Sequence, residues 1–453
     1  MIVKKKFRFS TTQVILMSFL VTILVGSVFL ALPISSATGQ AVPYLDALFT
    51  ATTSTCVTGL VTLPTVSTWS VFGQVIILIL IQIGGLGIVT IMSGLMIILN
   101  RNIGIGDRLL IQDAFNLNTM AGLVKFVKNV LVGALIIESL GAILYMLVFV
   151  PEFGAKGVWV SVFNSVSAFC NAGIDIVAEN SLCNYATNPL VNLVTAMLVI
   201  LGGLGYIVWW DVIRVIKCRS PKKKAIFKHL TLHSKIAITF TGGLILLGTI
   251  LIFIFEYANP LTIGEMSLFD KIQVSFFQSV TTRTAGFASI AQENLTNSSV
   301  FVCIILMLIG GSPVGTAGGI KTVTIAVLFS SAFATIRNKN SATLFGRRVS
   351  EKMVKKAIAV VVTFFIICAI STMLLMLTTE APAIDVIYET VSAAATVGLS
   401  RNLTPMLNEF GKLIIILTMY FGRVGPISLA VAFGCKKENQ NVISEPTEDV
   451  SIG

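Results

Sequence analysis

Four times along 453 residues, an apolar stretch gives way to a short run of small, mostly polar residues that closes on a glycine. The runs read TSTCVTGL at 53–60, FNSVSAFCNAGI at 163–174, FQSVTTRTAGF at 277–287 and YETVSAAATVGL at 388–399. Their glycines, Gly59, Gly173, Gly286 and Gly398, fall 114, 113 and 112 residues apart. Ten residues before each stands an aromatic ring (Phe49, Phe163, Phe276, Tyr388), and one residue after it a large apolar side chain (Leu60, Ile174, Phe287, Leu399). So regular a period marks an internal repeat and restricts the fold to assemblies of four similar units.

The medium is set by what surrounds these runs. From Phe9 to Asn100 the only charged residue is Asp46, and over the whole chain 55% of residues are hydrophobic and 12% charged. That balance belongs to an integral membrane protein. Several stretches supply the roughly 20 apolar residues that cross about 30 Å of hydrocarbon as a helix. Strict apolar–polar alternation is missing, which argues against a barrel. Leading spans are expected near 12–33, 124–149, 235–256 and 357–378, trailing spans near 70–99, 188–213, 298–335 and 408–434. Each unit then reads span, short half-helix with loop, span. Two crossings per unit give all four the same orientation, and parallel units can assemble about a pseudo-fourfold axis along the membrane normal, unlike inverted repeats. The expected fold is an all-α membrane protein of eight full transmembrane helices, with units at 1–100, 101–215, 216–338 and 339–453.

The net charge of +11 does not point to nucleic acid, because the bases are scattered over short connectors without interleaved aromatics. Alternate connectors explain it: 25 Lys and Arg lie in 1–10, 101–128, 214–235, 336–356 and 436–453, against 5 in the connectors between them. This asymmetry places both termini in the cytoplasm of a cell membrane, with lipid as the surrounding partner. The basic N-terminus with its apolar continuation to Leu32 is longer than a signal-peptide core and reads as a retained span. The seven cysteines are scattered without a CxxC, so neither a disulfide framework nor a transition-metal site is expected. His229 and His233 have metal-compatible spacing but no third ligand, and a solvated face suits them better.

Non-helical backbone at membrane depth must be buried in protein or line a water-filled cavity. Four such loops meeting on one axis would present a ring of main-chain carbonyls, which can replace the hydration shell of an alkali cation. Glycine turns a carbonyl where a Cβ residue would be strained, and each half-helix aims its negative C-terminal end at the same point. The residues assigned to this ring are Val57, Thr58 and Gly59; Asn171, Ala172 and Gly173; Thr284, Ala285 and Gly286; Thr396, Val397 and Gly398. No ionised side chain and no bound cofactor is needed. A small-residue packing patch explains the composition of one copy but not the spacing of four. Cys56 and Cys170 match in register and read as packed thiols.

A second interruption, GGSPVGTAGGIKT, lies inside the third trailing span and comprises Gly310, Gly311, Ser312, Pro313, Val314, Gly315, Thr316, Ala317, Gly318 and Gly319, ending at Ile320, Lys321 and Thr322. Five glycines and a proline should break that helix, and no other trailing span shows such a segment. Unwound backbone below the ring could obstruct it and move aside as a gate; a passive kink is the alternative. Arg423, midway along the last span, should face the interior, with either the carbonyls of the broken segment or Glu138 as its acceptor. Lys321 either helps hold the segment or snorkels to the cytoplasmic side. Arg283 is expected to brace its loop from behind. Asp46 and Asp385, each thirteen residues before a repeat glycine, either cap the pore helices or attract cations outside the membrane.

TCVTGL, TTRTAGF, GGSPVGTAGGIKT and FGRVGP, set in four span–pore helix–span units, together resemble the Trk/Ktr/HKT superfamily of potassium transporters. The likeness covers nearly the whole chain and is closest to the KtrB-type membrane subunit. It implies a homodimer with one pore per protomer, potassium uptake into a bacterial cell, sodium stimulation, and a cytoplasmic ring of KtrA-like RCK subunits that binds ATP or ADP. It also implies that 310–322 is an intramembrane gating loop in contact with Arg423. The chain has no GxGxxG of its own between a strand and a helix, so nucleotide acts only through the partner. A dimer contact through AVAFG, residues 430–434, is a further expectation. An enzyme would need His, Asp or Glu clusters at membrane depth, and none is seen. A sodium- or proton-coupled carrier for another solute is the competing transport reading.

Overall fold

Every repeat glycine sits just beyond the C-terminus of a short helix, and the rest of the fold holds those four ends together. The computed structural model describes residues 10–99, 103–114, 122–217, 226–339 and 341–425; the proposed AVAFG contact lies outside them. In chain order the helices are α1 (Thr11–Leu30), α2 (Tyr44–Cys56), α3 (Thr65–Thr68), α4 (Val71–Leu86), α5 (Ile88–Ile98), α6 (Ile105–Ala114), α7 (Leu123–Phe153), α8 (Ala155–Cys170) and α9 (Pro189–Gly203). They continue with α10 (Tyr206–Lys217), α11 (Ile226–His229), α12 (Leu232–Glu256), α13 (Leu268–Thr281), α14 (Asn297–Leu308), α15 (Thr322–Ile336), α16 (Glu351–Met376), α17 (Ala383–Ala395) and α18 (Glu409–Val424).

Among the described residues four helices, α1, α7, α12 and α16, are long and apolar enough to cross a bilayer, or up to six spans if each bent pair counts as one. Each leading helix packs on the short helix that follows it: α1 on α2, α7 on α8, α12 on α13, α16 on α17. Each trailing helix then packs on the short helix of the next segment: α4 on α8, α9 on α13, α14 on α17, and α18 back on α2. The trailing helices all start from a side-chain cap, Ser70, Asn188, Thr296 or Asn408, which satisfies orphan N–H groups and contributes about 1 kcal/mol each.

Two expectations are corrected. The third trailing helix is not alone in being interrupted, because α4 turns into α5 through 100° at Gly87 and α9 into α10 through 94° near Gly205. Gly87 and Gly205 have φ of 87° and 89°, outside the helical region, and each closes a GGLG sequence (84–87 and 202–205), so three glycines within four residues end the helix. The chain is also not wholly helical: Thr343–Leu344 pairs antiparallel with Arg347–Arg348 in a small hairpin.

Candidate functional site

The four glycine loops share one backbone conformation. The residue two before each glycine is left-handed, with φ of 56° at Val57, 60° at Asn171, 66° at Thr284 and 51° at Thr396. The glycines follow at φ of 101°, 63°, 82° and 95° for Gly59, Gly173, Gly286 and Gly398. Val and Thr resist this region strongly, so the surroundings must impose it. Part of that constraint is a bond from the residue before each glycine back to the short helix preceding it: Thr58 N–H to Thr53 O at 2.9 Å, Ala172 to Ser167 at 2.8 Å, Ala285 to Thr281 at 3.0 Å and Val397 to Ser392 at 2.8 Å. Hydroxyls complete the turn, with Gly59 N–H donating to Thr53 Oγ1 at 2.9 Å and Gly398 N–H to Ser392 Oγ at 3.0 Å.

The loops touch head to tail. A Cβ placed on Gly59 would lie 2.6 Å from Ala172 O, one on Gly173 2.6 Å from Ala285 O, one on Gly286 2.6 Å from Val397 O, and one on Gly398 2.2 Å from Thr58 O. Each glycine therefore abuts the carbonyl preceding the next glycine, and the fourth returns to the first. All twelve ring residues assigned from sequence fall in these four turns, and all are buried. No side chain larger than hydrogen fits at the four contacts without moving backbone.

The broken segment runs directly against these loops. Its neck is closed by a bridge between Ile309 and Ile320, with Gly310 N–H to Ile320 O at 3.0 Å and Thr322 N–H to Gly311 O at 3.0 Å. Its middle enters the bend between α9 and α10: Ser312 and Thr316 donate N–H to Gly203 O and Gly202 O at 2.8 and 3.1 Å, and Tyr206 N–H donates to Val314 O at 2.9 Å. The residues two before the glycines reach it from above. Asn171 Oδ1 is 2.9 Å from Thr316 Oγ1, Thr284 Oγ1 accepts Gly318 N–H at 3.1 Å, and Gly318 would clash with Thr396 Oγ1 at 1.9 Å if it carried a Cβ.

Three cations hold the segment in place. Arg423 donates to Thr316 O at 2.6 Å and to Gly84 O at 2.5 Å. Of its two expected acceptors the structure brings it to the broken segment; Glu138 is instead held by Gln82 Nε2 at 3.1 and 3.0 Å. Lys321 Nζ folds back on Ala317 O at 2.5 Å rather than leaving for solvent. Arg283 ties Thr241 O at 3.1 Å to Gly310 O at 2.9 Å, bracing the loop against the neck of the broken segment.

Asp46 and Asp385 do not cap their helices, since Pro43 and Pro382 occupy the cap positions. Both lie in the first turn, where the helix dipole favours negative charge, and both pair with cations: Asp46 with Lys412 at 2.5 Å and Asp385 with Arg401 at 2.6 Å. On the loop beyond Gly173, Asp175 is buried and accepts the Ser181 hydroxyl at 2.6 Å. Burial pushes its carboxyl up to about 6, against the lowering effect of that bond and nearby N–H groups.

Sequence reasoning missed a second set of close contacts, present in three of the four units. Gly84, Gly202 and Gly422 pack so tightly that a Cβ would stand 2.0, 2.0 and 2.1 Å from Thr55 O, Phe169 O and Ala394 O, each four residues before a repeat glycine. Gly310 follows its repeat glycine by 24 residues, as Gly422 does, and begins the broken segment. The signal was the recurring pair GG, GG, GG and GR at 84–85, 202–203, 310–311 and 422–423.

Comparison with known proteins places this geometry. Residues 3–444 match the family model described as TrkH, cation transport protein. The chain is 38% identical over 447 residues to the Ktr system potassium uptake protein B of Bacillus subtilis, covering 98% of this chain and 97% of that protein. It is 37% identical over 460 residues to the potassium/sodium uptake protein NtpJ of Enterococcus hirae, with both chains wholly covered. The crystal structure of the potassium transporter TrkH from Vibrio parahaemolyticus superposes with a TM-score of 0.75 over 96% of this chain and 86% of that one, at 15% identity, and so shares the fold. These relatives are transporters rather than enzymes, and the KtrB-type likeness expected from the motifs is what the full-length matches display. The chain is a multi-pass membrane protein and belongs to the TrkH family of cation transport proteins.

Proposed function

We propose that this chain is the potassium-conducting subunit of a bacterial potassium uptake system, working as a channel-like pore with a carbonyl-lined filter. The observation that carries this reading is the head-to-tail closure of the four glycine loops, in which each glycine abuts the carbonyl of Ala172, Ala285, Val397 or Thr58. Four pore helices ending at one place direct their partial negative charges there, so a cation is favoured without an ionised side chain. Potassium is the ion because the matching relatives are named for its uptake, and sodium permeation or stimulation accords with the name of the Enterococcus relative.

In this reading the units 1–100, 101–215, 216–338 and 339–453 are parallel repeats about a pseudo-fourfold axis, with eight crossings and both termini in the cytoplasm. The bent pairs and the broken pair each count as one crossing. Residues 310–322 are the gate: the segment contacts loops two, three and four and is latched by Arg423, which also reaches Gly84 beside loop one. A homodimer and a cytoplasmic RCK ring complete the assembly, and ATP or ADP acts through that ring. The word "system" in the names of the Ktr relatives fits a transporter of more than one subunit.

The test is rubidium and sodium flux into liposomes carrying the full chain, with Gly286→Ser as the diagnostic variant. A serine there must hold a φ of 82° and push its Cβ toward Val397 O at 2.6 Å, so the carbonyl ring is distorted. Rubidium-over-sodium preference should fall roughly tenfold, equivalent to about 1.4 kcal/mol. Unchanged preference in a protein that still reconstitutes would overturn the filter.

A further inference from the structure

Glu389 lies on α17 nine residues before Gly398, with no exposure at all. Its Oε2 accepts the Ser400 hydroxyl at 2.7 Å, and its Oε1 accepts the hydroxyl of Thr404. Both donors belong to the turn by which the chain leaves the fourth glycine loop. Ser400 Oγ already accepts the N–H groups of Leu403 and Thr404 at 3.2 and 3.4 Å, so its own proton is directed to the carboxylate.

The one basic residue of that turn is committed elsewhere. Arg401 reaches Asp385 at 2.6 Å and the carbonyls of Gln292 and Glu293 at 3.2 Å each. The ion pairs among the described residues are Arg214–Asp211, Arg401–Asp385 and Lys412–Asp46, which leaves Glu389 without a cationic partner. A buried carboxylate held by hydroxyls alone has a large desolvation cost still to be offset. The turn that it holds leads directly out of the fourth glycine loop, where the pathway proposed above would bring a permeating cation. At the same register the other three pore helices carry Thr50, Asn164 and Phe277, so the charge is peculiar to the fourth unit.

We propose that Glu389 is a specificity-determining positioning residue of the potassium pathway. It fixes the exit turn of the fourth loop through Ser400 and Thr404, and its charge favours a cation against that loop. This rests on the filter reading above, and the ring of four loops is thereby electrostatically unequal, with its tightest hold on the ion at the fourth.

Rubidium and sodium uptake by the full chain in liposomes tests this with Glu389→Gln, which keeps shape and removes charge. The half-saturating rubidium concentration should rise roughly tenfold and rubidium-over-sodium preference should fall, while maximal uptake stays within about twofold. A residue that merely supports folding would lower maximal uptake and leave both ratios alone. Wild-type half-saturation and preference in Glu389→Gln overturn the proposal. Gly286→Ser run alongside separates the two readings: if it too keeps wild-type preference, the filter itself is lost; if it alone responds, only the role of Glu389 is. Should Glu389→Gln not reconstitute, Ser400→Ala retains the carboxylate and must raise half-saturation about threefold, as loss of one neutral donor would. No change in Ser400→Ala then overturns the proposal.

Discussion

Single residues at the ring do two different jobs, and the side chain decides which. The glycines are there for what they lack, since any Cβ would meet the neighbouring carbonyl. The residues two before them are there for what they carry: Asn171, Thr284 and Thr396 turn their polar ends onto the broken segment, although the backbone left-handedness they accept is against the preference of threonine. Asp175 adds a third kind, a titratable group just beyond the second loop. Its carboxyl is raised to about 6 by burial, so it is charged at pH 7.5 and neutral well below 6. For a raised acid the folded state binds the proton more tightly than the unfolded chain, so this site stabilises the fold as pH falls through 6 and is a liability above it. Conduction should move the other way, because the negative charge near the ring is lost on acidification. Rubidium uptake measured between pH 7.5 and 5 should weaken through a step near pH 6, and Asp175→Asn should show no such step while already having the weaker affinity at pH 7.5. A wild-type step that survives in Asp175→Asn assigns the titration to another group.

Among the elements, the short helices and glycine loops could be read from sequence because their pattern is local: an aromatic and, ten positions later, a glycine, with small side chains between. The partners of the trailing helices could not. Gly87 and Gly205 each close a GGLG sequence, at 84–87 and 202–205, without the proline and the longer glycine run of the third interruption, yet they end their helices. Arg423 had two plausible acceptors, and the choice depended on where a segment more than a hundred residues away is folded. Movement of that segment as the proposed gate would not cost its anchors. Its neck, from the Ile309–Ile320 bridge to the bonds at Gly310 and Gly311, is separate from the part that touches the loops. Deleting residues 312–317 should therefore spare the neck while removing the bonds to Gly202, Gly203 and Arg423 and the contact with Asn171. Rubidium flux per reconstituted protein is expected to rise roughly tenfold, the effect of losing about 1.4 kcal/mol of closed-state stabilisation. Flux that stays at the wild-type level removes the gate and leaves a passive kink.

At the scale of the whole molecule the demand is closure, because four loops form a ring only if the last unit meets the first. Within the bilayer the hydrophobic effect does not drive helix against helix, so the seam depends on close packing and polar contacts. Between the fourth and first units these are the packing of α18 on α2, the Arg423 bond to Gly84 O, the Tyr420 hydroxyl on Leu16 O at 2.9 Å, and the Lys412–Asp46 pair. The pair joins residues 366 positions apart, which is why neither partner could be assigned from sequence. Its side chains are 17% and 10% exposed, so removing one charge strands the other in a poorly solvated place. Lys412→Met should destabilise the protein by about 3 kcal/mol, at the low end of what a broken buried pair costs. Asp46→Asn on its own leaves a lysine that can extend toward solvent, and should cost less. The double variant should recover most of the loss, because the stranded carboxylate is gone. Thermal unfolding in one detergent at one scan rate measures all three, and rubidium-over-sodium preference of the surviving protein measures the ring itself. If Lys412→Met lowers both the unfolding temperature and the preference, and the double variant restores both, then the seam far from the axis sets the geometry at the axis. A loss of stability with wild-type preference would mean instead that the loops hold their ring through their own head-to-tail contacts, and the pair serves only to keep the fourth unit attached.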